Sequence, residues 1–111
     1  MRFPGLVTLT AALVAIPLLG AASAPKITDA NFARAARCVV LASSDTMKAQ
    51  GMDASALGDL LERDKYRHPE FIRAKAQDAI FNAKRQVRRA STPVLQAQLA
   101  VDAQKACAGF L

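Results

Sequence analysis

Apolar residues recur along this chain at helical spacing, and alternating strand-like runs are missing from residues 25 to 111. In the first segment Phe32, Ala35, Ala36, Val39, Ser43, Thr46 and Met47 fall on one face of a helical wheel, with Arg34, Arg37, Asp45 and Lys48 opposite. The pattern predicts a helix from just after Thr28 or Asp29 to about Gln50, stopped by Gly51, which can adopt the left-handed conformation that closes many helices. Cys38 lies at the edge of the apolar face. Leu41 falls in the middle of the charged face, where it reads as an exposed single residue or a partner contact.

A short second helix is expected after Asp53, carrying Leu57, Leu60 and Leu61 ahead of the charged stretch from Glu62 to Arg67. His68-Pro69 resets the chain, because the residue before proline avoids the helical region while proline suits a first turn. A third helix then runs from Pro69 to about Arg89 on the stripe Ile72, Ala76, Ala79, Ile80, Ala83 and Val87. Thr92-Pro93 starts a fourth, which turns Leu95, Leu99, Ala103, Ala106 and Phe110 inward, with Cys107 beside them. The expected fold is all-α, a small three- or four-helix bundle.

Composition changes how the ends of this pattern are read. Residues 1–24 differ from the rest: Arg2, an uncharged and mostly apolar run from Gly5 to Gly20, then Ala21-Ala22-Ser23-Ala24. That order and size are those of a secretory signal peptide, leaving a helical domain over residues 25–111. The run is shorter than the roughly 20 residues of a membrane-spanning helix and holds Pro17, so no permanent span is expected. No twin arginine precedes it and no cysteine follows it, which leaves ordinary secretion, to the periplasm or the medium. Cleavage is expected between Ala21 and Ala24: a cut after Ala24 puts Pro25 next to the break, and a cut after Ala22 avoids it.

Export also decides how two cysteines are read. An even count in a small secreted chain signals a disulfide, and Cys38 with Cys107 permits only one intramolecular pairing. With 5% aromatic residues and no tryptophan, the alanine-rich core must be shallow, and a staple from the first helix to the last compensates.

Few candidates for chemistry survive this reading. His68 is the only histidine and the cysteines are far apart, so no metal site or cofactor is expected. Oxidised cysteines supply no nucleophile. The acids Asp59, Glu62, Asp64, Glu70 and Asp78 alternate with Lys and Arg as on a solvated helix surface, and no phosphate loop, serine elbow or haem motif is present. The chain therefore reads as a non-enzyme.

Charge is the feature that departs most from a neutral background. Between Arg63 and Arg89 nine cations face three carboxylates, a surplus equal to the +6 of the whole chain. Phe81 points away from the apolar stripe of the third helix, in the company of Gln77, Lys84 and Arg88, and the candidate partner-binding residues are Phe81, Lys84, Arg85, Arg88 and Arg89. An aromatic within a basic face suits an anionic partner, such as another envelope protein or an anionic surface. Nucleic acid is the least expected anion, since export removes its usual targets and no recognition motif is visible. Two structural accounts compete: cations in a last turn stabilise the helix dipole without a ligand, and the second helix can cover Phe81. The functional expectation is an exported binding or accessory protein; the alternative is a periplasmic holding chaperone related to stress.

Overall fold

A computed structural model describes residues 26–111; the expected signal peptide and its cleavage point lie outside them. The described chain is all-α. It comprises α1 (Phe32–Ala42), α2 (Asp45–Ala49), α3 (Ser55–Asp64), a 3₁₀ turn (Lys65–Arg67), α4 (Glu70–Arg89) and α5 (Pro93–Cys107). The third and fourth predicted helices reappear as α4 and α5 with their expected starts, but α5 stops at Cys107, short of Phe110, which lies in the turn that follows. Thr92 caps α5, its hydroxyl oxygen accepting from the Leu95 N–H at 3.2 Å, with Pro93 in the first turn.

The first predicted helix is two helices. Ser44 interrupts it in an extended conformation (φ −67°, ψ 153°). Its Oγ donates to the Leu41 carbonyl at 2.7 Å and accepts from the Met47 N–H at 3.4 Å, so one buried hydroxyl both ends α1 and caps α2. Serine offers the backbone this local alternative to the helical ladder, and apolar periodicity is blind to it. The reversal after α2 falls at Gly51, whose φ of 88° is in the left-handed region. We expect Ser44→Ala to lower stability by about 1 kcal/mol through loss of the cap, read as a shift in urea midpoint at unchanged slope.

The break changes which residues form the core. α1 is the central element: α4 packs along one side, α5 along another and α3 along a third, while α2 folds back against α1 and α5. A helix surrounded in this way buries most of its circumference, and Ala35, Cys38, Leu41 and Ala42 are all fully enclosed. Leu41 is therefore a core residue, contrary to its expected exposure. Leu95 differs in the opposite sense, being 45% exposed. The helix that covers α5 is α1, with 11 residues against 15, and with Cys107 tied to α1 the burial of α5 begins only at Leu99.

Cys38 and Cys107 form the expected disulfide, with Cα atoms 4.8 Å apart and a sequence separation of 69. Polar contacts reinforce the same joint. Arg34 Nη1 donates to the carbonyls of Ala106 (3.0 Å) and Ala108 (2.7 Å), and its guanidinium lies 4.3 Å from the Phe110 ring centroid. This side chain caps the C-terminus of α5. Arg37 Nη2 donates to Gln86 Oε1 at 2.7 Å, and Gln86 Nε2 donates to Asp102 Oδ2 at 2.6 Å, so a polar chain links α1, α4 and α5. Of the charged face assigned to the first helix, Arg34 and Arg37 thus attach α1 to its neighbours, while Asp45 and Lys48 lie exposed on α2.

Beside the first turn of α1 His68 is buried. Its ring lies 4.3 Å from that of Phe32, and its Nδ1 is 2.6 Å from Asp29 Oδ1, which ties the chain leading into α1 to the turn before α4. Asp53 precedes α3 and accepts from the Ser55 backbone N–H at 2.9 Å. That bond holds the Asp53 carboxyl below its ordinary value, a contribution present at neutral pH and lost as acid protonates it.

Candidate functional site

Two features of α4 and its neighbours are candidates: the basic face singled out by charge, and a groove beside it. The basic face occupies the C-terminal half of α4. Phe81 is 57% exposed, and the Arg85 guanidinium lies 5.0 Å from its ring centroid. Lys84, Arg88 and Arg89 are exposed and Arg85 is half-buried. Among the described residues none of these four cations has a carboxylate within 4.0 Å; the ion pairs are Lys65–Glu62, Arg67–Asp64 and the His68–Asp29 contact. Of the two structural accounts of this cluster, covering of Phe81 by the second helix does not occur. α3 and α4 each pack on α1 and make little contact with one another. The dipole account still applies to Arg88 and Arg89, which stand in the last turn of α4.

The gap between α3 and α4 is a groove of about 450 Å³. Its floor is the flank of α1, with Phe32, Ala36 and Val39; Leu61 and Gly58 form one wall and Ile80 belongs to the other. The rim at its closed end carries Glu62, Lys65, Glu70 and Arg73, which balance in charge. Tyr66 stands exposed there, with Lys65 Nζ 5.3 Å and the Arg73 guanidinium 5.1 Å from its ring centroid. The periodicity of the individual helices contains all these residues but not the groove, which exists because two helices pack on a third without closing on each other.

Gly58 lies in the interior of α3, where glycine costs about 1 kcal/mol relative to alanine. A Cβ built at Gly58 meets only Val39 Cγ1, at 3.6 Å, an ordinary contact. The backbone therefore does not demand glycine there, and the consequence of the missing side chain is an open groove.

The remaining candidates for chemistry have structural roles or no partners. The two cysteines are joined, so neither sulfur is a thiolate. His68 is committed to Asp29 and Phe32. No group of three or more His, Cys, Asp or Glu side chains among the described residues is placed to hold a metal ion. No helix among them is long and apolar enough to cross a membrane. Comparison with known proteins finds no matching family, no matching curated protein and no matching solved structure.

Proposed function

We propose that this protein is an exported binding module that docks an anionic partner through the C-terminal half of α4, with Phe81, Lys84, Arg85 and Arg88 at the centre of the contact and Arg89 at its margin. The observation that carries the reading is a set of four cations with no carboxylate within 4.0 Å among the described residues, gathered around an exposed aromatic ring. Unpaired surface cations repel one another, a cost that an anionic partner relieves, and the Phe81 ring adds apolar contact at the centre. Export is supported by the leader-like pattern of residues 1–24 and by a disulfide, which persists in oxidising compartments.

The stapled core suits this role. α4 is held to α1 along its inner face and to α5 through Gln86, so the basic face is presented on a rigid element and little ordering is needed on binding. The other exposed apolar residues include Phe71 on α4 and Val94, Leu95 and Val101 on α5, outside the basic cluster.

Replacing Lys84, Arg85 and Arg88 together by Glu tests the proposal. We expect the variant to keep the helical circular dichroism of the parent, since Lys84 and Arg88 are exposed, Arg85 is only half-buried, and none of the three belongs to the core. Capture of envelope partners should fall by about tenfold or more, and capture by the parent should weaken steeply with added salt. Undiminished capture by a folded triple variant overturns the proposal.

A further inference from the structure

The geometry points to an acidic amphipathic helix of a partner protein as the occupant of the groove between α3 and α4, its apolar side chains on the α1 floor and its carboxylates over Lys84 and Arg88. This inference rests on the basic-face reading and extends it from a charged patch to a shaped site.

The connection between patch and groove lies in the register of α4. Arg73, Gln77, Ile80, Lys84 and Arg88 recur at spacings of four, three, four and four, which places them on one stripe of the helix. Arg73, Gln77 and Ile80 line the groove. The same stripe continues past Ile80 as Lys84 and Arg88, with Phe81 on its outer flank. From Arg73 to Arg88 it extends about 22 Å, the length of roughly 14 residues of a second helix laid alongside. Asp78, the carboxylate nearest in sequence to Lys84, lies about 120° round the helix and outside the stripe.

Charge along the stripe sets the polarity of the occupant. At the Tyr66 end the rim is neutral in sum, with Lys65 bonded to Glu62 at 3.1 Å and Arg73 Nη1 donating to the His68 carbonyl at 2.6 Å. Beyond Ile80 only cations remain. A partner helix therefore meets apolar floor and balanced rim at one end and uncompensated positive charge at the other. The matching segment has apolar residues at helical spacing and acids concentrated toward one terminus, the helix-in-groove mode of recognition with its anchors at i, i+3, i+4 and i+7.

The concavity argues against a flat surface. Phe32, Ala36 and Val39 lie at the bottom of a cleft walled by two helices, where projecting side chains reach them and a planar headgroup layer does not. Gly58 supports the same occupant, because the space its missing side chain leaves falls on the groove wall next to Val39.

The test uses the oxidised protein and labelled peptides of roughly 14 residues, in fluorescence anisotropy. One peptide carries Leu on a single helical face with Glu concentrated toward one end; its control has the same composition, scrambled so that no apolar face forms. We expect the first to bind at least about tenfold more tightly than the second. Gly58→Leu, which fills the groove, and Gln77→Trp, which covers it from an exposed position, should each weaken binding by about tenfold or more. Lys84→Glu with Arg88→Glu should do the same and should remove most of the salt dependence. Circular dichroism of each variant separates loss of the site from loss of the fold, and Gln77→Trp serves if Gly58→Leu does not fold.

Equal binding of the two peptides, or binding untouched by both groove variants yet lost on charge reversal, overturns the groove occupant and leaves the basic-face reading standing. Dodecanoate binding that Gly58→Leu abolishes, with no peptide binding, assigns the groove to a small amphiphile instead. Binding to phosphatidylglycerol vesicles that the groove variants leave unchanged, again with no peptide binding, assigns the face to a lipid surface. Peptide binding insensitive to Lys84→Glu with Arg88→Glu removes the basic-face reading as well.

Discussion

Reducing the Cys38–Cys107 bond is expected to lower the stability of the folded protein by about 4 kcal/mol, the value the chain-entropy model gives for closing a loop of this length. The bond spans 69 residues and joins α1, the hub of the fold, to the last turn of α5. In the unfolded chain it forbids nearly every arrangement in which the two ends separate. In the folded state both cysteines are buried, at 0% and 3% exposure, so Cys38→Ala with Cys107→Ala also leaves two small voids beside the joint. A domain of this size commonly has a total stability of only about 5 to 10 kcal/mol, and 4 kcal/mol corresponds to a melting temperature lower by roughly 20 °C. Urea unfolding of the oxidised, reduced and double-alanine forms provides the measurement. Coincident midpoints for the three would show that α5 is held by packing and by the Arg34 cap alone.

Truncating Leu41 to alanine is expected to cost about 3 kcal/mol, within the range seen when a fully buried leucine loses its side chain and leaves a cavity. Leu41 is fully buried in the last turn of α1, where α2 folds back and meets α5. Alanine is the commonest residue of the core, and its short side chain cannot swing in to fill the space. Leu95→Ala is the informative control. At 45% exposure near the start of α5 it should change stability by less than about 0.5 kcal/mol, since little burial is lost and alanine is the better helix former. Periodicity assigns these two leucines the opposite fates, so the pair of urea midpoints tests the packing arrangement itself. Equal effects at the two positions would place Leu41 on the surface and contradict the central position of α1.

The difference between these leucines shows where sequence reasoning reaches its limit. α4 and the start of α5 were legible to within a residue or two because proline, Thr92 and a long apolar stripe each act locally, and the local preferences agree with the fold. The division of the first helix was not legible, because Ser44 competes with the helical ladder through two bonds of its own hydroxyl, and an apolar wheel does not register them. The Arg34 and Arg37 contacts escaped for another reason. An arginine on a helix reads as solvated until a distant element is known to present carbonyls or an amide to it.

For the candidate site, the basic cluster with Phe81 could be named from spacing alone, because a cation surplus and an outward register are properties of one helix. The groove could not. Its floor comes from α1, its walls from α3 and α4, and each contributes residues that look like ordinary core or rim on its own wheel. The length of chain outside the hydrogen-bonded ladder of one helix is what hides such a feature. Closing it requires knowing the angle at which two helices leave a third.

The sequence by itself determined the helical class, the pairing of the only two cysteines, the starts of α4 and α5, and the surplus of positive charge late in α4. These follow from backbone preference, elimination and charge, which need no knowledge of neighbours. Tertiary structure alone decided that α1 is surrounded, so that Leu41 is core and Leu95 is not, and that α3 and α4 pack on α1 with a groove left between them. The physical reason is that burial and concavity belong to the space between elements, and that space is set by packing across long separations in the chain.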